Sequence, residues 1–177
     1  LGSVYASAPK GNPGTWLLDP SNVTISNGVT VNGSFDGLSP NTFTTTANNA
    51  VANVATINAA LDLGTSVVIL TTPGGTQAGN ITVSNAILKS LIATAATLTL
   101  NAVGAITVNN TISSTNGPLN VTLIGDSVSV NSAITTNGGV FTSTTQNATT
   151  LANAISTGAG TVAINVNQDG AGTNAFA

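Results

Sequence analysis

The C-terminal half of this chain repeats itself about every 22 residues, and that period limits the possible folds more than any other feature. Three segments align: Asn110-Thr111-Ile112-Ser113-Ser114-Thr115-Asn116-Gly117, Ser132-Ala133-Ile134-Thr135-Thr136-Asn137-Gly138-Gly139 and Asn153-Ala154-Ile155-Ser156-Thr157-Gly158-Ala159-Gly160. The isoleucine recurs at spacings of 22 and 21, and Ile87 takes the same slot 25 residues upstream of Ile112. Other positions keep step. Leu98 and Leu100 align with Leu119, Val121 and Leu123, then with Val140, then with Val162, Ile164 and Val166. Ile106 and Val108 align with Val128 and Val130, and more loosely with Thr150 and Leu151.

Within a unit, runs such as Thr97-Leu98-Thr99-Leu100, Ile106-Thr107-Val108 and Ile112-Ser113 alternate apolar with small polar residues, the period of a half-buried strand. Asn, Gly, Asp and Pro punctuate the joints. A unit this short cannot bury its apolar face alone, but units stacked at about 4.8 Å per coil bury it continuously. The pattern therefore predicts an all-β fold, a right-handed parallel β-helix with coils of about 20–25 residues. Ile87, Ile112, Ile134 and Ile155 form one inward column, and Thr, Ser and Asn form ladders outside. A sandwich of antiparallel hairpins shares the turn spacing but gives no reason for slots to repeat by identity.

The N-terminal half is less regular. Residues 15–31 read as two strands about an Asp19-Pro20-Ser21-Asn22 turn, and 35–49 as a polar loop. Val51, Val54, Ile57 and Leu61, followed by Gly64, predict a short amphipathic helix near 51–63. Val67-Val68-Ile69-Leu70 reads as a buried strand, Pro73-Gly74-Gly75 as a turn and Ile81-Thr82-Val83 as a strand. One solenoid domain over 1–177 is expected, with an extended arm at 1–14, irregular coils over 15–95, regular coils over 96–168 and a tail at 169–177. The start, Leu1-Gly2-Ser3-Val4-Tyr5, has no basic segment and no initiator Met, so the chain reads as a piece of a longer protein.

Composition excludes several functions. Charged residues are 4% of the chain, against about a quarter in an ordinary soluble domain. Lys10 and Lys89 are the only cations, too few to displace counterions from nucleic acid or to hold an anionic membrane. No apolar run is long enough for membrane insertion. Cysteine and histidine are absent, which removes disulfides and the usual zinc ligands.

The segments Trp16-Leu17-Leu18-Asp19-Pro20-Ser21-Asn22-Val23-Thr24-Ile25, Ala55-Thr56-Ile57-Asn58-Ala59-Ala60-Leu61, Gly79-Asn80-Ile81-Thr82-Val83 and Ala96-Thr97-Leu98-Thr99-Leu100-Asn101-Ala102 resemble a recurrent stretch of filamentous-haemagglutinin-like exoproteins. The resemblance covers roughly residues 14–140. It implies a right-handed parallel β-helix, an extracellular, secreted or bacterial-surface location, and roles in adhesion, aggregation or biofilm. It implies no catalytic residues.

The residues offer little chemistry of their own. Asp19, Asp36, Asp62, Asp126 and Asp169 are scattered among turn-formers, and none recurs at the coil period, so paired acid/base carboxylates are not expected. No cofactor and no metal site is expected; Asn165-Val166-Asn167-Gln168-Asp169-Gly170 is oxygen-rich but lacks a second carboxylate. The pairs Thr42-Phe43-Thr44, Thr97-Leu98-Thr99 and Thr142-Ser143-Thr144 do not share one strand slot from coil to coil, which weighs against a threonine array that binds ice. Asn22, Asn32, Asn80, Asn109, Asn120 and Asn147 stand in Asn-x-Ser/Thr acceptor sequences, most of them expected to stay unmodified. Trp16 reads as a packed anchor.

The expected function is non-catalytic: an adhesive or structural segment of a large surface adhesin that meets a host or cell-surface receptor. The alternative is a subunit of a self-assembling extracellular filament, its partner a second copy through strand edges that almost no charge protects.

Overall fold

The computed structural model describes residues 19–71 and 73–170. The arm at 1–14, the Trp16 anchor and the tail beyond Gly170 lie outside the described residues. Parallel sheets stack into a β-solenoid of about six turns, with a single short helix among the described residues.

A seven-stranded sheet runs, in stacking order, Gly33–Phe35, Asn41–Thr45, Val67–Leu70, Ala96–Asn101, Leu119–Gly125, Phe141–Thr145 and Val162–Asn165. A six-stranded sheet runs Ala50–Asn53, Val23–Ser26, Ile81–Val83, Ile106–Val108, Val128–Val130 and Thr149–Leu151. The third wall is a four-stranded sheet of Ile87–Lys89, Ile112–Ser114, Ile134–Thr135 and Ile155–Ser156. Within these walls every pairing is parallel except Gly33–Phe35 with Asn41–Thr45.

Alternation accounts for the walls. In Ala96–Asn101 and Leu119–Gly125 the inward Ala96, Leu98, Leu100, Leu119, Val121 and Leu123 are buried, and the intervening polar side chains face outward. A parallel register sets each inward side chain on its counterpart one coil away: Leu98 on Val121, Ile106 on Val128, Val108 on Val130. Ile87, Ile112, Ile134 and Ile155 are paired in sequence across the four-stranded sheet, so they form one column.

The N-terminal end is built differently. Val23–Ser26 lies between Ala50–Asn53 and Ile81–Val83, an insertion that brings residues distant in sequence into one sheet. The six-stranded sheet thus has two strands more than the four-stranded one, and the helix Val54–Asp62 packs beside Ile87–Lys89 where those two counterparts are missing. A helix of about 10–12 Å diameter fills the height of two strand spacings of about 4.8 Å. Asn53 caps it, its Oδ1 accepting from the N–H of Ala55 at 2.8 Å and of Thr56 at 3.3 Å. Val54, Ile57, Ala60 and Leu61 bury one face, and Gly64, at φ +75°, turns the chain out after Leu63.

Several expectations are corrected here. Val51 belongs to the strand Ala50–Asn53, where Ala50 and Ala52 point inward, and the helix begins only at Val54. Part of the 35–49 region read as a loop is the strand Asn41–Thr45, with Phe43 fully buried and its ring edge-on to Phe35 at 5.1 Å. The segments read as turns at Asp19-Pro20 and Pro73-Gly74-Gly75 instead pair with each other as short antiparallel strands. Val140 does not continue the Leu98 column: it is 38% exposed, and the fully buried Phe141 stacks on Val121. The partner of Val128 is Thr149, not Thr150. Both slips are by one residue, which in a strand reverses which face a side chain occupies.

The two ends differ. At the N-terminal end the Ala50–Asn53 edge is covered: Val31 and Val51 exchange backbone hydrogen bonds, and Asn53 N–H donates to Thr30 Oγ1 at 3.3 Å. At the other end the outer edges of Thr149–Leu151, Ile155–Ser156 and Val162–Asn165 have no partner strand among the described residues. The inward-slot residues there, Leu151, Ile155 and Ile164, are only partly buried.

Candidate functional site

The corner that follows the isoleucine column carries a repeated polar device. Ser114 Oγ donates to the Gly117 carbonyl at 2.6 Å, Thr136 Oγ1 to that of Gly139 at 2.5 Å, and Thr157 Oγ1 to that of Gly160 at 2.9 Å. Each hydroxyl closes a turn on the carbonyl three residues ahead. In the earliest of these corners Lys89, in register with Ser114, takes the same role. Its fully buried Nζ donates to the carbonyl of Ile92, again three residues ahead, and to that of Asn116 in the next coil. Sequence reasoning passed over Lys89, since nothing in its neighbours marks a lysine as buried. It is a clamp between two coils. The glycines are required by close approach, because a Cβ on Gly117, Gly139 or Gly160 would run into the carbonyl of Ala93, Leu119 or Gly139, respectively.

A second buried polar group lies inside the coil of Phe141–Thr145. Ser143, Thr145 and Thr149 are almost wholly buried, with Ser143 Oγ 2.8 Å and Thr145 Oγ1 3.3 Å from Thr149 Oγ1. Ser143 occupies the slot of Leu123 and Thr149 that of Val128, so hydroxyls bonded to one another replace apolar packing. Among the described residues no buried side-chain nitrogen or oxygen lacks a hydrogen-bond partner.

Asp36 holds a local turn, while Asp62 and Asp126 join segments distant in sequence. Asp36 Oδ1 accepts from Leu38 N–H at 3.0 Å and Thr42 N–H at 2.9 Å; those two donors, Leu38 first, hold its carboxyl below the ordinary value of 3.8. Asp62 Oδ1, on the last residue of the helix, accepts from the N–H groups of Ser90 at 2.5 Å and Leu91 at 3.0 Å. Asp126 Oδ1 accepts from Asn147 Nδ2 at 2.6 Å. Among the described residues no three of His, Cys, Asp and Glu cluster as a metal site would require.

The acceptor-sequence asparagines are also structural. Asn22 Oδ1 accepts from Asn80 N–H and Asn80 Oδ1 from Ala105 N–H, each at 2.8 Å, which links three coils. Asn32 Nδ2 donates to the Asn48 carbonyl at 2.8 Å, Asn109 Oδ1 accepts from Asn131 Nδ2 at 2.9 Å, and Asn120 Oδ1 accepts from Val140 N–H at 2.9 Å.

Comparison of the chain with family models, curated proteins and solved structures gives no match. The surface itself must therefore carry the functional reading.

Two surface depressions, of about 540 Å³ and 460 Å³, flank the helix and share Ala55, Ala59 and Leu63. With Leu38 and Leu91 these residues form an apolar patch: Leu38 and Leu91 are 68% exposed and Leu63 75%. The other feature is the outer face of the sheets. On the six-stranded sheet Thr24, Thr82, Thr107, Ser129 and Thr150 share one slot across five adjacent strands. On the seven-stranded sheet Thr42, Val68, Thr99, Thr122 and Thr142 share one slot. Outer ladders of Thr and Ser are as expected, but the expectation that the three Thr-x-Thr pairs share no slot is corrected. Thr42, Thr99 and Thr142 do share a slot, although Thr99 is the second member of its pair and the others the first. Among the described residues these faces offer an uncharged, periodic field of hydroxyls and amides.

Proposed function

We propose that this chain is a non-catalytic extracellular segment of a filamentous-haemagglutinin-like bacterial surface adhesin, a rigid stalk that presents its side walls to a receptor. The observation that carries this reading is the division of the polar residues. Buried ones close turns, join coils or bond to one another inside a coil, and the outward columns of the two large sheets carry no charge. Such a stack holds its shape through nearest-neighbour contacts along its length, as a projecting stalk needs. The carboxylates support the non-catalytic part, since Asp36, Asp62 and Asp126 are each occupied by nearby N–H donors.

The filament reading draws on the unpaired edges of Thr149–Leu151, Ile155–Ser156 and Val162–Asn165, which invite a further strand. Head-to-tail growth needs a complementary edge at the other end, and there the Ala50–Asn53 edge is covered. The stalk is therefore favoured.

Display of the 177-residue chain on a non-adherent bacterium tests both readings. The stalk reading expects increased attachment to host cells or increased cell–cell aggregation, and electron micrographs of the purified chain showing separate short rods. Unchanged attachment and aggregation overturns the adhesive reading, and end-to-end filaments with one subunit per repeat establish the alternative.

A further inference from the structure

We propose that the outward face of the six-stranded sheet is an ice-binding surface. Two polar columns define it. The first is Thr24, Thr82, Thr107, Ser129 and Thr150, in parallel register with no bulge. The second lies two residues further along the chain and runs Ser26, at the end of its strand, then Ser84, Asn109 and Asn131, each directly after its strand. The first column repeats at the strand spacing of about 4.8 Å, and the second flanks it where the strands end. That spacing is within about 0.3 Å of the separation of like oxygens within a layer of hexagonal ice, so neighbouring strands can each meet a lattice water, with a mismatch that grows to about 1 Å over five strands.

The state of these side chains supports the match. The hydroxyls of Thr24, Thr82, Thr107 and Thr150 make no hydrogen bond to another described residue, whereas those of Ser114, Thr136 and Thr157 are committed to turns. Four donors and acceptors thus stand in file, held at χ1 by β-branching on paired strands. Part of the second column is fixed: Asn131 Nδ2 donates to Asn109 Oδ1 at 2.9 Å within it, and Ser129 Oγ of the first column donates to Asn131 Oδ1 at 3.0 Å. Binding to a solid lattice gains from positions fixed beforehand, since little side-chain freedom remains to be lost.

Charge and shape complete the case. None of these residues is ionisable, and the single described cation, Lys89, is buried in another wall. An ammonium or carboxylate would hold its own hydration shell against the lattice. Each threonine instead sets a methyl beside its hydroxyl, an apolar surface against which water is ordered. A sugar polymer fits less well, because neither column contains an aromatic ring on which a sugar could stack. The seven-stranded face is an internal comparison: Val68 interrupts its threonine column, and Leu70 and Ile124 lie in the next outward column.

Ice-affinity partitioning of the full chain, with thermal hysteresis read by osmometry, tests the proposal. The chain is expected to enter growing ice and to shape crystals. Thr107→Lys, at the centre of the face, is expected to lose both activities, and Thr122→Lys, on the seven-stranded face, to keep them. Circular dichroism melts verify that each variant folds, and Ser129→Lys replaces Thr107→Lys if that variant does not. The proposal is overturned if the native chain stays in the liquid like an unrelated soluble control, if the central variant retains activity, or if Thr122→Lys loses it.

Discussion

Truncation of the isoleucine column probes how stability is distributed along the stack. Ile134 is fully buried and paired with Ile112 on one side and Ile155 on the other. Ile155 is half-buried, with a column neighbour on one side only among the described residues. Ile→Ala in a core costs about 2–5 kcal/mol, the sum of lost transfer energy and the cavity left behind. With neighbours above and below that cannot collapse, Ile134→Ala belongs in the upper half of that range, about 4 kcal/mol. Ile155 gives up roughly half the transfer energy and leaves a notch open to water, so Ile155→Ala should cost about 1–2 kcal/mol. Urea unfolding followed by far-ultraviolet circular dichroism measures both. Because each coil touches only its neighbours, amide exchange should rise around Ile112–Ser114 and Ile155–Ser156 in Ile134→Ala, while Val23–Ser26 stays protected. Equal costs for the two truncations, or exchange changes spread uniformly over the chain, would refute the nearest-neighbour reasoning.

Three other perturbations have defined outcomes. Gly139→Ala forces a Cβ into the Leu119 carbonyl and should lower stability by about 1–3 kcal/mol, read from the urea midpoint. Thr136→Val keeps the shape but leaves the buried Gly139 carbonyl without its donor, at about 1–3 kcal/mol, whereas Thr135→Val on the exposed side should stay within about 0.5 kcal/mol. The Asp36 carboxyl should titrate below 3.8 by NMR, and its hold on the Gly33–Phe35/Asn41–Thr45 hairpin, present above that ordinary value, should fade as pH falls through the depressed one; a titration at or above 3.8 contradicts the two backbone donors.

The regular coils were legible because their inward slots repeat apolar residues at a fixed period. Where inward slots turn polar, the phase was lost. In Phe141-Thr142-Ser143-Thr144-Thr145 the inward side chains are Phe, Ser and Thr, and the interior is satisfied by hydroxyl bonds that no hydropathy pattern reveals. Asn41–Thr45 was hidden for a similar reason, since Phe43 is its only apolar residue. The insertion of Val23–Ser26 between Ala50–Asn53 and Ile81–Val83 is a long-range pairing with no local signal. The helix start was misplaced because Val51 fits the 3.6-residue period as well as it fits a strand; the Asn53 cap decides between them. The outward ladders of Thr, Ser and Asn follow from the same period, but which threonines share a slot does not, because the coils that pair are of unequal length.

The stacking itself is tested most directly by dipolar electron paramagnetic resonance on paired spin labels, which the absence of native cysteine makes straightforward. Cysteines introduced at Thr107 and Ser129, Thr82 and Ser129, and Thr24 and Ser129 sit one, two and three strands apart in a single column. Their backbone separations should step through about 5, 10 and 14 Å, although Thr24 and Thr82 lie far from Ser129 in sequence. Label distances that increase in that order support coils lying one on another. A Thr24–Ser129 distance out of that order, or a Thr107–Ser129 pair too far apart to broaden the spectrum, contradicts the solenoid.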